Sequence, residues 1–239
     1  MAASVEAIRT NNGFLEESYW LAMGPSNTPI STSLHPEFLQ SVHGFYIDVG
    51  CCSGRGSREL VKHGCKVIGV DLNMRDLSFG KRLNGYDFDT LYVQSFGEQL
   101  PFPSETFDGG AIMLGLLGGV GKDSRSQIIT ESVRCLRSKA SVYIAEFSLI
   151  TDPTALTLGG KRWIDVYNTD LPITSEYGSV RVLNEIGETI FVAHHFREDE
   201  LRSLLTEHDI EIKDCKAVQV RSVVSGELRN NWNIWGFKH

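Results

Sequence analysis

The sequence is short of basic residues. Lys and Arg number 23 against 30 Asp and Glu, leaving a net charge of −7. That balance argues against a large nucleic-acid footprint, which clusters Lys and Arg on one face. No run approaches the roughly 20 apolar residues that span a bilayer, so no membrane role is expected. The first residues, "MAASVEAIRTNNGFLEES", carry acids and no apolar core, unlike a secretory leader. Cysteine spacing is equally limiting. Cys51, Cys52, Cys65, Cys135 and Cys215 are odd in number and include no C-x-x-C. This excludes a disulfide frame and the usual zinc patterns, and it suits free thiols in a reducing, cytoplasmic compartment. No metal is expected, and internal repeats and low-complexity tracts are also missing.

What is present is an alternation. A chain of 239 residues, 41% hydrophobic and 22% charged, can bury one sizeable core. "FYIDV" (45–49), "KVIGVD" (66–71), "TLYVQ" (90–94), "GGAIMLG" (109–115) and "ASVYIAEF" (140–147) read as short buried strands. Helical spacing lies between several of them. In "SRSQIITESVRCLRS", Ile128, Ile129, Val133 and Leu136 share one face. Strands alternating with helices predict βαβ units and a mostly parallel sheet.

Beyond residue 150 the pattern changes. "SLITDPTALTLGGKRWIDVYNTDLPITSEYG" is turn-rich and shows no clean period. "SVRVLNEIGETIFVAHH" reads as a hairpin around a Gly-containing turn. "REDELRSLLTEHD" reads as an amphipathic helix with Leu201, Leu204 and Leu205 inward and acids in its first turn. "IEIKDCKAVQVR" and "NNWNIWGFKH" close as two strands. Residues 150–195 are therefore expected as an insertion on the sheet's carboxyl edge, where open α/β sheets bind ligands.

The stretch "DVGCCSGRGSREL" (48–60) runs from the first strand through a Gly/Ser-rich turn into a helix start, where unpaired N–H groups suit an anion or a nucleotide. A dinucleotide loop, G-x-G-x-x-G, begins at Gly54 but fails at Glu59, and G-x-x-x-x-G-K-[ST] is absent. What fits is D-x-G-x-x-x-G through Asp48, Gly50 and Gly54. Asp71, ending the second strand, has the chemistry to accept two ribose hydroxyls.

"DVGCCSG", Asp71 and "GEQLPFPSETFD" (97–108) together resemble the class I S-adenosylmethionine-dependent methyltransferases. The resemblance is close over residues 44–147 and loose over 191–239. It implies a Rossmann-like seven-stranded, mostly parallel sheet flanked by helices, with an antiparallel last strand and a hairpin insertion after the fifth. Residues 1–239 would form a single methyltransferase domain. Within it 1–43 would be a helical lid, 44–149 the cofactor core, 150–195 the insertion over the active site, and 196–239 the final helix and strands. It also implies S-adenosyl-L-methionine as cofactor. Asp48, Gly50 and Gly54 would line its methionine end, Arg55 would lie near its carboxylate, and Asp71 with Leu72 would hold the ribose. Phe96, Gly97 and Glu98 would lie at the adenine. Leu114 and Gly115 would offer backbone to its amino group. Two departures stand out. Cys52 replaces the middle glycine of the family's loop, which implies a shifted loop with binding retained. Phe96 replaces the acid that reads the adenine amino group.

A sulfonium methyl is already activated, so the family's transfer is an in-line displacement that depends on alignment and water exclusion. A hydroxyl or ammonium acceptor would also need a base. His194 and His195 are the candidates, of which a strand would present at most one to the site. Tyr19 in the lid could reach it, beside Trp20. Trp163 and Tyr167 offer an aromatic wall. The expected acceptor is a small organic molecule methylated at O, N or S. A tRNA or protein methyltransferase, and a cofactor-binding protein without transferase activity, remain as alternatives. The [DN]-P-P-[YFW] tetrapeptide and the Pro-Cys dipeptide of base-modifying subclasses are absent. The oligomeric state, monomer or homodimer, is not legible.

Overall fold

The structure is a computed structural model that describes residues 34–83, 90–157, 159–184, 186–221 and 228–239. Tyr19, Trp20 and most of the lid expected over 1–43 lie outside the described residues. Nine strands are described: β1 (Phe45–Val49), β2 (Lys66–Asp71), β3 (Thr90–Gln94), β4 (Gly110–Leu114), β5 (Ser141–Phe147), β6 (Ser179–Leu183), β7 (Thr189–His194), β8 (Ile210–Arg221) and β9 (Leu228–Lys238). The helices are α1 (Pro36–Leu39), α2 (Arg55–Lys62), α3 (Met74–Leu83), α4 (Lys122–Cys135), α5 (Trp163–Thr174) and α6 (Glu198–Thr206).

Seven strands form one sheet in the order β3-β2-β1-β4-β5-β9-β8. β1 to β5 run parallel, and β9 lies antiparallel between β5 and β8. This is the Rossmann-like sheet with an antiparallel last strand that the motifs implied. β6 and β7 form a separate antiparallel hairpin, inserted after β5. The strands read as apolar runs because both faces of the sheet are covered. Alternate residues supply the two cores. Ile47, Val49, Ala111, Met113, Val142 and Ile144 join one, with Ile128 and Ile129 of α4 and Leu201 and Leu205 of α6. Tyr46, Ile112, Tyr143 and Ala145 join the other, against Leu34, Phe38 and Trp235.

The stretch around "WIDVYNTDLPIT", read as irregular, is the 12-residue helix α5 with Pro172 inside its last turn. Its inward positions are Trp163, Tyr167, Asp170 and Thr174, at helical spacing. Two of them are polar, and Leu171 and Ile173 face outward instead. The apolar pattern therefore hides the helix. Asp170 faces inward because it accepts both the Arg181 N–H and its guanidinium, each at 2.8 Å, tying α5 to β6.

Candidate cofactor and acceptor site

The turn after β1 is built by its backbone. Gly50 and Cys51 both donate their N–H to the Val70 carbonyl, at 2.8 and 3.0 Å. Gly50 and Gly54 have φ of +69° and +77°, a region glycine enters freely. At Gly54 packing adds a second demand, because a Cβ would lie 2.0 Å from the Tyr92 hydroxyl. Asp48 is buried, and its Oδ2 accepts the Ser57 N–H and hydroxyl at 2.8 and 2.7 Å, fixing the first turn of α2. Burial pushes this carboxyl up to about 6 against those hydrogen bonds and nearby Arg55.

Asp71 ends β2 directly under the turn. Its Oδ2 accepts the Cys52 N–H and its Oδ1 the Asn73 N–H, both at 2.8 Å. Burial raises its pKa while these N–H groups lower it. Cys52 itself has φ of +49°, so the residue replacing the loop's glycine does occupy the left-handed region. Burial also pushes the Cys51 and Cys52 thiols well up, which makes them poor nucleophiles. The loop after β3 closes the same floor. Ser95 donates its N–H to the Asp71 carbonyl, and Gln94 reaches the Leu72 carbonyl. Phe96 is 47% exposed there, and Gly97 packs toward Val49 and Ile128. Phe96 and Glu98 also border a groove of about 580 Å³ that runs to Gln127 and Arg134. On the other side of β1, Leu116 lies against Gly50. The Gly115 N–H is spent on the Ala145 carbonyl, so an ammonium can find only carbonyl oxygen at Leu114 and Gly115.

The three loops therefore bring Asp48, Gly50, Gly54, Arg55, Asp71, Leu72, Phe96, Gly97, Glu98, Leu114 and Gly115 to one end of the sheet. The donor set fits an S-adenosyl cofactor. The Asp71 carboxylate, held by backbone N–H groups on both oxygens, has the chemistry to accept from a cis-diol. The exposed Phe96 ring suits an adenine face.

His194 and His195 lie farther along the same edge, and both are buried. β7 packs on the short turn Leu117–Gly119 that follows β4. His194 turns one way: Nδ1 lies 2.8 Å from Ser179 Oγ and 3.2 Å from Glu176, and Nε2 lies 2.9 Å from Glu200. His195 turns the other way, among Phe147, Trp163 and Tyr167, with ring centroids 5.7, 5.1 and 5.8 Å away. The Tyr167 hydroxyl lies 2.6 Å from its Nδ1. Burial, followed by the nearby His194 and Arg229, lowers His195 to about 3. His194 thus has a carboxylate near each nitrogen, and the low proton affinity of His195 makes it a weak base near neutral pH.

Two groups that spacing did not single out hold this region together. Glu146, near the end of β5, accepts the Leu117 and Gly118 N–H groups at 2.7 and 3.1 Å. Burial pushes it up to about 8, against those two N–H groups and Arg125. Arg125 on α4 donates to the Leu117 and Val120 carbonyls and pairs with Glu176 at 2.8 Å. Glu146 was visible only as an acid inside an apolar strand, and Arg125 only as a base on a helix. Neither carries a spacing signature.

Residues 47–144 match the family model of a methyltransferase domain. A crystal structure of an S-adenosylmethionine-dependent methyltransferase from Methanosarcina mazei superposes with a TM-score of 0.75 at 29% identity, covering 87% of this chain and 99% of that one. Together these similarities support a class I S-adenosylmethionine-dependent methyltransferase with S-adenosylmethionine as its cofactor. Among curated proteins, the chain is similar to the ubiquinone/menaquinone biosynthesis C-methyltransferase UbiE of Hahella chejuensis. The two are 35% identical over 97 residues, 39% of this chain and 38% of that protein's length. The 1,6-didemethyltoxoflavin-N1-methyltransferase of Burkholderia thailandensis, with 1,6-didemethyltoxoflavin and S-adenosylhomocysteine bound, shares the fold at 17% identity. Its TM-score is 0.54 over 81% of this chain and 70% of that one.

Proposed function

We propose that the protein methylates a small organic molecule that binds over the carboxyl ends of β4 and β5, under the insertion 150–195. The observation that carries this is the placement of the aromatic cluster around His195. It adjoins Phe147 at the end of β5, while the cofactor turn follows β1, two strands away in the sheet. Strands lie ~4.8 Å apart, so the separation is about 10 Å, within one bound ligand's reach.

Asp71 and Leu72 would hold the ribose, Phe96, Gly97 and Glu98 the adenine, and the loop of Asp48, Gly50, Gly54 and Arg55 the methionine end with the Leu114 and Gly115 carbonyls. The cofactor supplies a methyl group already activated on a sulfonium. The chain's own work is to bind, orient and exclude water. With His194 held between Glu176 and Glu200 and His195 turned to Tyr167, the arrangement favours an acceptor that arrives soft or already anionic, such as a thiolate, phenolate or enolate. The UbiE relative's name, a C-methyltransferase of quinone biosynthesis, agrees with that preference. The acidic balance weighs against tRNA as substrate. Free cysteines, and the lack among the described residues of any helix long and apolar enough to cross a membrane, support a cytoplasmic enzyme.

Calorimetry with S-adenosylhomocysteine tests the cofactor assignment. Asp71→Ala should weaken binding by about 1–3 kcal/mol, the cost of leaving buried polar groups unpartnered. Wild-type affinity in that variant, or NADH binding in its place, would overturn the assignment.

A further inference from the structure

We propose that His195 is a neutral hydrogen-bond donor, locked in its Nε2–H tautomer by Tyr167, that recognises an oxygen atom on a planar acceptor. The inference rests on the proposed placement of the acceptor over β4 and β5.

The tautomer follows from Tyr167. This side chain is fully buried, and its hydroxyl oxygen accepts the Ile150 N–H at 3.3 Å. Its own proton then needs an acceptor, and the Nδ1 of His195, 2.6 Å away, is the one within reach. A nitrogen that accepts carries no hydrogen, so in a neutral ring the proton sits on Nε2. The backbone fixes the ring's place as well, because the His195 N–H donates to the Gly178 carbonyl at 3.0 Å. Nε2 has no hydrogen-bond partner among the described residues, and it is not one of the sealed, unsatisfied atoms. A donor oriented this firmly with nothing to donate to is a recognition group awaiting a ligand.

The surroundings define that ligand. Phe147 and Trp163 present rings on two sides of His195, and the Arg229 guanidinium lies 5.0 Å over Trp163. Among the described residues, the charged and titratable groups facing the ring are the preceding His194, Tyr167 from α5 and Arg229 from β9. No carboxylate is among them. A cationic acceptor would therefore be repelled, whereas a flat ring bearing a phenolate, enolate or carbonyl oxygen would stack and accept from Nε2. The low proton affinity of His195 agrees with this role, since a ring that stays neutral keeps its donor without repelling a cationic cofactor.

The test uses the full chain with S-adenosylhomocysteine bound. Nitrogen NMR of the histidine side chains should show His195 as the Nε2–H tautomer, unchanged from pH 8 to pH 5. Titration within that range, or a proton on Nδ1, overturns the proposal. Tyr167→Phe should release the tautomer, and an unchanged ring in that variant overturns the locking role. 1-Naphthol and 1-methylnaphthalene then serve as probes that differ in one oxygen. 1-Naphthol should bind at least about tenfold more tightly and move the His195 Nε2–H signal, as expected of a site built around a donor. His195→Gln, which presents an amide N–H, should keep most of that preference, and His195→Phe should lose it. Equal binding of the two probes, binding of neither, or a preference surviving in folded His195→Phe overturns the recognition. Loss of the preference in His195→Gln alongside His195→Phe points to a basic nitrogen and overturns it too. Failure of S-adenosylhomocysteine to bind strikes at the proposed function instead, and the tautomer measurement on the free protein still reads.

Discussion

The peptide N–H of Cys52 donates 2.8 Å to the carboxylate of Asp71, so the cofactor turn is held by the residue that should also hold the ribose. This bond accounts for the backbone at Cys52, whose φ of +49° is costly for any residue with a Cβ. The side chain is tolerated and the main chain is what the site uses.

Cys52→Gly should therefore keep the turn and keep or improve S-adenosylhomocysteine affinity. Relief of the left-handed conformation is worth about 1 kcal/mol, part of which is returned through the greater freedom of glycine in the unfolded chain. Thermal unfolding should show an unchanged or slightly higher midpoint. Methyl transfer lost with binding intact would make the thiol chemical and this reading wrong.

The loop shows which parts of the site were legible in the sequence. Asp48, Gly50, Gly54 and Asp71 are bound to the chain's local path, strand into turn into helix, so their spacing carries their placement. Phe96 and Gly97 follow for the same reason, at the end of β3. The acceptor side does not work this way. Tyr167 and His195 are 28 residues apart and meet at 2.6 Å through tertiary packing of α5 against β6, the hairpin partner of β7. Helix α5 was hidden because Asp170 and Thr174 occupy its inward face and satisfy themselves with hydrogen bonds. Hydrophobic periodicity cannot register a polar residue that is buried because it is paired. Likewise, the alternation rule for His194 and His195 held for direction and failed for exposure, because the hairpin is covered on both faces.

Glu146 should make stability depend on pH. Its carboxyl is raised to about 8 in the folded chain, from an ordinary value of 4.5. A group that holds its proton more tightly when folded contributes stability that is full below about pH 4.5. That contribution is lost as pH rises through about 8. Glu146→Gln removes the titration and turns an amide NH2 toward one of the Leu117 and Gly118 N–H groups, leaving it without an acceptor at a cost of about 1–3 kcal/mol. The stability gap between wild type and variant, from urea unfolding, should narrow between pH 6 and 9. A gap that stays constant or widens would show that Glu146 is ionised throughout.

Arg125 and Glu176 clamp the insertion to the turn after β4. Their side chains are only 5% and 18% exposed, and breaking a buried pair from one side costs about 3–5 kcal/mol. Arg125→Met keeps most of the apolar stem and removes the charge, and with it the guanidinium that lies 5.1 Å over the Phe196 ring. Destabilisation should be in that range. Amide exchange should speed up at 117–120 and 176–179 before it does in β1, β4 and β5. Uniform acceleration across the sheet would mean that Arg125 supports the whole core and not this junction.

If adenine binds as proposed, Phe96 should set how it is read. It occupies the place of the acid that would accept from the adenine amino group, and it is half exposed beside Asp71 and Gly97. A ring offers stacking area and no acceptor, so selection for an amino group over a carbonyl at that position of the base should be weak. The wild type should bind S-adenosylhomocysteine and its deaminated inosyl analogue with affinities within a few-fold of each other. Phe96→Asp introduces an acceptor, and a hydrogen bond to a charged group is worth about 1.5–3 kcal/mol. It also gives up the stacking contact. The variant should therefore bind the adenosyl ligand no better than wild type, yet discriminate against the inosyl ligand at least about tenfold more strongly. Competition calorimetry of the two ligands on both proteins separates the effects. Strong discrimination already present in the wild type would show that backbone groups after β3 read the amino group, and that Phe96 is not the residue deciding it.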